Sequence, residues 1–141
     1  MSAEDEIRDA SKAFYEALGR MANGDADGFA AIWSHDESAT AMHPIGGRTV
    51  GWGEVQTSFA QVAGMASGGQ VELHDQVIQV VGDAAYELGI ERGRMTLAGR
   101  EIAFDHRVTN IYRREAGAWK MVHHHTDTSA AMIDLLKSLQ S

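Results

Sequence analysis

His43, His106, Asn110 and the run His123-His124-His125 are the side chains in this sequence whose type and setting could do chemistry. His43 ends the short segment Ser38 to His43 and stands just before Pro44 and the Gly46-Gly47 pair. An imidazole ordinarily titrates near pH ~6.5, so such a group can accept and return a proton at neutral pH as a general base. The plainer role is a hydrogen bond to the turn that follows. Asn110 lies in a stretch where Ile102, Phe104, His106, Val108, Asn110 and Tyr112 recur at every second position. That period sets them on the core-facing side of a strand. An amide among such neighbours must find partners or line a wet cavity. His106 shares that face, as a ligand contact or as a satisfied core histidine.

The histidine run alternates on a strand, so His123 and His125 share one face and His124 takes the other. Trp119 and Met121 have the parity of His123 and His125, which predicts that this pair points inward. A two-residue turn at Ala116-Gly117 places His123 opposite Asn110 and His125 opposite Val108. A three-residue turn shifts the count and presents Arg107 and Thr109 to the interior instead. Two imidazoles two apart on a strand can bind a divalent metal if a third ligand, His43 or Asp127, converges on them. A hydrogen-bonded pocket wall is the preferred reading, and no metal or other cofactor is expected.

The elements that must position these groups change character midway. Ser2 and Asp5 form a capping box for a first helix, whose apolar stripe is Ile7, Ala10, Phe14, Leu18 and Met21. Asp25 caps a second, shorter helix carrying Phe29, Ile32 and Trp33. A short strand ends at His43, and Gly51 leads into a third helix with Val55, Phe59, Val62 and Met65 on one face. From Gln70 the period becomes two. Strands turn at Gly82-Asp83, Ala98-Gly99 and Ala116-Gly117, and a last helix carries Met132, Leu135, Leu136 and Leu139. Segregated helices and strands predict an α+β domain over residues 1–141, with three N-terminal helices on a curved antiparallel sheet and a short C-terminal helix. Trp52, opening the third helix beside the glycine-rich turn, is a candidate for the pocket rim. Tyr15, at the edge of the first helix's stripe, offers a hydroxyl to a ligand.

Composition narrows the function classes. The chain of 141 residues is long enough to bury a core without staples. With no cysteine it has neither a disulfide nor a thiol nucleophile, and it fits a reducing cytoplasm. A net charge of −8 speaks against a nucleic-acid backbone as partner. No apolar run approaches the ~18 residues of a membrane helix, so no membrane partner is expected. The acidic opening MSAEDEIRDA does not read as a secretory signal. No phosphate-binding loop, dinucleotide fingerprint or G-x-S-x-G elbow occurs.

The order of elements resembles the cone-shaped fold shared by nuclear transport factor 2, ketosteroid isomerase and the SnoaL-like polyketide cyclases. Gly24-Asp25 to Trp33, Ser38 to Gly46 and Gly51-Trp52 are similar to the front half of that superfamily. Arg107 to Trp119 and Val122 to Thr126 are similar to the SnoaL-like back half. The resemblance covers about residues 5 to 128. It implies a pocket for a small apolar or carbonyl-bearing ligand. By this resemblance His43 stands where ketosteroid isomerases keep the proton-moving carboxylate, and Asn110 near their oxyanion-stabilising acid. His43 and Asn110 are therefore the expected catalytic pair, with His106, His123, His125, Trp52 and Tyr15 as substrate contacts. The implied chemistry is proton transfer beside a carbonyl: isomerisation, cyclisation or dehydration. Because the fold also serves as an association domain in some kinases, a non-catalytic binding or assembly module is the alternative.

The outer face of the strand carrying Asn110 holds Ala103, Asp105, Arg107, Thr109, Ile111 and Arg113. Asp105 and Arg107 allow a self-complementary contact, and relatives of the fold dimerise through such a face, so a homodimer is expected.

Overall fold

The computed structural model describes residues 1–140; Ser141, the last residue of the expected domain, lies outside the described residues. The first helix, α1 (Ala3–Met21), starts at the predicted capping box: Ser2 Oγ accepts from the Asp5 amide, and the Asp5 carboxylate accepts from the Ser2 amide. Its inner stripe of Ile7, Phe14, Leu18 and Met21 is buried against a curved sheet.

The expected second helix does not form. Residues 27–32 are a series of turns that still deliver Phe29 and Trp33 to the core. The Asp25 carboxylate accepts from Arg20 and from the Asp27 amide, which makes a tight local turn in place of a helix cap. The backbone then bonds to the sheet: Met121 N–H donates to Ile32 O, and Ser34 N–H donates to Met121 O. A segment this short gains more from those bonds than from a nucleated helical turn. Two helices rather than three therefore precede the long strands.

Strands β1 (Thr40–Met42) and β2 (Thr49–Val50) flank the glycine-rich turn, and α2 (Trp52–Ala63) follows. Then come β3 (Ala66–Val81), β4 (Ala84–Leu97), β5 (Arg100–Glu115), β6 (Ala118–Thr126) and α3 (Ala130–Leu139). Among the described residues these six strands form one sheet in the order β2-β1-β6-β5-β4-β3, antiparallel except where β1 runs parallel to β6. This is the α+β cone predicted from the sequence, with α1, α2 and α3 on its concave side.

Two tight turns set the register of the site. Ala98 and Gly99 both have positive φ, as do Ala116 and Gly117, the signature of two-residue hairpin loops. From Leu97↔Arg100 the β4–β5 pairing runs without interruption to Ala84↔Arg113. From Glu115↔Ala118 the β5–β6 pairing runs to Tyr112↔Met121 and then slips by one, so that Ile111 meets His123 and Asn110 meets His124. Val122 is the extra residue of a β-bulge. On the far side β3 bulges twice and lies so close to β4 at Gly93 that a Cβ there would meet Gln70 O.

Candidate functional site

The concave side of the sheet encloses a cavity of about 50 Å³, enough for a few water molecules. Its wall is mostly apolar: Leu18 and Met21 from α1, Phe59 and Val62 from α2, Met95 and Leu97 from β4, and Met132 from α3. Four polar side chains interrupt it, namely His43 after β1, Glu91 on β4, His106 on β5 and His124 on β6. All four are buried.

Behind these groups lies a continuous hydrogen-bonded network. The Glu87 carboxylate, with no exposed surface, accepts from Tyr112 OH (2.8 Å), Asn110 Nδ2 (3.0 Å) and Gln76 Nε2 (2.6 Å). With its amide nitrogen turned to Glu87 and Tyr15, Asn110 presents Oδ1 to His124, whose Nδ1–H donates at 2.7 Å. Tyr15 accepts from Asn110 and donates its own proton to Glu91 Oε2 at 2.9 Å. The other oxygen, Glu91 Oε1, accepts from His106 Nε2–H at 3.0 Å. Among the described residues, His106 Nδ1 is buried and has no hydrogen-bond partner. Separately, Ser58 hydroxyl donates to Val55 O and therefore accepts from His43 Nε2–H at 2.7 Å.

Burial pushes His43 down to about 4, so it is neutral at pH 7. Burial, reinforced by the neighbouring histidines, holds His124 well below the ordinary value. Burial and the nearby carboxylates raise Tyr15 and Tyr112 well above the usual phenol range, which keeps both as hydrogen-bond donors. The arrangement therefore contains a carboxylate–imidazole pair, Glu91–His106, in which the carboxylate fixes one ring nitrogen as N–H and leaves the other as a lone pair. Such a pair is suited to taking up a proton.

His43 and His106 line the cavity, and His106 and Asn110 face inward while Arg107 and Thr109 face out. Asn110 lies one layer behind the cavity, where all its polar atoms serve other side chains. Tyr15 is also behind the wall. The His43 ring bonds Ser58 rather than the glycine turn, which is closed instead by Gly46 N–H donating to His43 O. Trp52 does not line the cavity; it stacks on His35 at 4.7 Å.

The inward placement of His123 and His125 is overturned. The Val122 bulge reverses the alternation, so His124 enters the core and the flanking pair lies on the outer face. There Thr40 Oγ1 meets His123 Nδ1 at 2.7 Å, and His125 is exposed. The pair is thus on the opposite side of the sheet from His43. Among the described residues no three His, Asp or Glu side chains converge as metal ligands.

Glu87, Glu91, His124 and Ser58 are the members that alternation misses. On β4 the apolar residues Tyr86 and Leu88 are 41% and 40% exposed, whereas the glutamates at 87 and 91 are buried. The signal was the Ala98-Gly99 turn: counting back from Leu97↔Arg100 sets Glu91 opposite His106 and Glu87 opposite Asn110. Partners directly opposite share a face, so two inward polar residues on β5 bring two inward acids on β4.

Comparison with known proteins agrees with this architecture. Residues 7–132 match the family model of the SnoaL-like domain, and the chain belongs to that family. A proposed dehydratase of the NTF2-like family from Streptomyces avermitilis is 26% identical, with a TM-score of 0.78, over 89% of this chain and 94% of the other. A proposed calcium/calmodulin-dependent kinase II association domain from Thiobacillus denitrificans is 27% identical, with a TM-score of 0.65, over 85% and 92%. An NTF2-like superfamily protein from Salmonella enterica serovar Typhimurium is 17% identical with a TM-score of 0.79, over 89% and 90%, a likeness of fold alone. No curated protein matches the sequence significantly.

Proposed function

We propose that this SnoaL-like domain binds a small, largely apolar molecule in its cavity and moves a proton on it, with His106 as the base and Glu91 as its positioning partner. The observation that carries this reading is the unpartnered, buried Nδ1 of His106, whose other nitrogen is tied to Glu91. Buried polar atoms are ordinarily satisfied, and an orphan on a cavity wall is a place for a ligand. His43 is less suited to the base role, since a group held at about 4 is a weak proton acceptor at neutral pH. Its role is to contact the ligand. Asn110 orients Tyr15 and His124, and through Tyr15 it braces Glu91. Of isomerisation, cyclisation and dehydration, dehydration gains support from the Streptomyces avermitilis relative. In such a step His106 Nδ1 removes a C–H proton, the electron pair forms the double bond, and the departing hydroxyl takes that proton to leave as water.

Small ring-bearing metabolites tested by thermal shift find the ligand, because one present at ~100 times its Kd stabilises the fold by about 2.7 kcal/mol. Solvent deuterium incorporation into that ligand, followed by mass spectrometry, then reads the proton transfer. His106→Gln should slow it by roughly 100-fold or more; an unchanged rate refutes the assignment.

The Thiobacillus denitrificans relative supports a second reading, an assembly module, and the small cavity favours it too. The outer sheet face carries exposed Val77, Tyr86 and Leu88 beside Ile111, a surface fit for a second copy in a homodimer. Binding and dimerisation use opposite faces of the sheet and are compatible.

A further inference from the structure

We infer that the cavity selects ligands whose polar end, where it meets this cluster, is a hydrogen-bond donor, a hydroxyl or a protonated amine, and discriminates against a carbonyl at that end. The inference deepens the small-molecule reading and rests on it. It follows from where the protons of the wall must lie. Glu87 accepts from the Asn110 amide nitrogen, which leaves only the Asn110 oxygen for His124. His124 therefore carries its proton on Nδ1, away from the cavity polar cluster, and Nε2 holds a lone pair. That Nε2 lies 3.8 Å from Glu91 Oε2, too far for a hydrogen bond, so two electron-rich atoms face each other with no proton between them.

The sequence of donors and acceptors continues to His106. Asn110 donates to Tyr15, so the Tyr15 proton goes to Glu91 Oε2, and Glu91 Oε1 takes the Nε2–H of His106. His106 Nδ1 is left as an acceptor without a donor. On α2, Ser58 gives its proton to Val55 O and accepts from His43 Nε2, so the remaining His43 nitrogen is an acceptor too. Three imidazoles and a carboxylate thus line one cavity, and each of their side-chain N–H groups is already taken by another protein group. Pro44, also in the wall, has no N–H to offer, and the methionine sulfurs are weak acceptors. A carbonyl oxygen placed among these four side chains would meet lone pairs only, and a buried acceptor without a donor is costly. A hydroxyl or ammonium supplies the missing protons.

The test compares three ring compounds of one size: cyclopentanol, cyclopentylamine and cyclopentanone. Affinity is measured on the intact protein by calorimetry and by ligand-observed NMR. The alcohol, the amine or both should bind at least fivefold more tightly than the ketone, and the two donor arms tell which donor is preferred. A ketone that binds as tightly as the better donor overturns the inference while leaving the small-molecule reading standing. Binding by none of the three overturns both. Glu91→Gln supplies an independent arm. Its carbonyl oxygen stays on the Tyr15 hydroxyl, its amide donates to His106 Nε2, and the His106 proton is forced onto Nδ1. The ketone should then gain at least fivefold relative to the alcohol; an unchanged ratio in a folded variant also counts against the proton assignment.

Discussion

Glu91 and His106 stand directly opposite each other on β4 and β5, and the imidazole Nε2 donates to the carboxylate at 3.0 Å, with both side chains out of bulk water. The pairing couples the tautomer of one residue to the charge of the other. Heteronuclear NMR of the histidine rings should therefore find His106 protonated on Nε2 in the native protein and on Nδ1 in Glu91→Gln. A ring that keeps the same tautomer in both would show that the carboxylate does not set it.

Stability should fall as the solution is acidified from pH 7 towards 4. Between the ordinary value of 6.5 and about 4 the unfolded chain protonates the His43 ring and the folded chain does not, so falling pH favours unfolding. Holding this ring neutral down to about 4 makes His43 alone responsible for a loss of roughly 3 kcal/mol across that interval. His124 acts in the same direction. Urea denaturation at pH 7, 5.5 and 4.5 measures the slope, which His43→Gln should flatten. An equal slope in that variant would place the proton uptake elsewhere.

The three adjacent histidines should differ sharply on truncation. His124→Ala leaves Asn110 Oδ1 without its donor and opens a void beside Phe14, whose ring centre is 5.0 Å away. A loss of about 2–4 kcal/mol is expected. His125→Ala, on the exposed outer face, should stay within about 0.5 kcal/mol. The reverse ranking would contradict the bulge at Val122.

Glu87 is held by three donors, and an amide in its place must turn N–H groups towards at least one of them. Glu87→Gln should cost about 2–4 kcal/mol and Tyr112→Phe about 1–3. Because Tyr112 OH donates to Glu87 at 2.8 Å, the double variant should be less destabilised than the sum by about 0.5–3 kcal/mol. Strict additivity in thermal or urea melts would mean that the two side chains act independently.

Light scattering should report a mass near twice the 15.3 kDa of one chain. Leu88→Lys sets a charge in the middle of the exposed apolar strip and should shift the dimer to monomer. Arg107→Glu should weaken a dimer less, since Arg107 is already engaged by Asp127 through Nε and the terminal guanidinium nitrogen. A monomer at tens of micromolar protein would refute the dimer.

Local chemistry made most of the fold legible. The Ser2–Asp5 cap, the apolar stripe of α1 and the two-residue turns at Ala98-Gly99 and Ala116-Gly117 act over a few residues and can be read in place. The failures came where a segment's partner lies far along the chain. The stretch around Phe29 has helical spacing, but its backbone is bonded to β6. On β4 hydrophobicity pointed the wrong way, because Glu87 and Glu91 are solvated by a network drawn from α1, β3, β5 and β6. Burial of such acids depends on Tyr15, Gln76 and Tyr112 arriving from elsewhere, and no periodicity within β4 records that. The bulge at Val122 leaves no composition signal at all, yet it decides which histidine enters the core.

The consequence of that bulge reaches beyond geometry. With the pairing as it stands, His124 meets Asn110. Without the extra residue His123 would take the place, and with one more it would fall to His125. Three identical letters in a row thus make the slot beside Asn110 tolerant of a frame error in either direction, and a chain that slips by one residue during folding, or gains or loses one residue before the run, still offers an imidazole there. The arrest of such slips falls to Asp127, whose three bonds to the Arg107 backbone and guanidinium fit one alignment. The strand thus carries a redundant symbol followed by a unique one, an error-tolerant code with its check digit at the end.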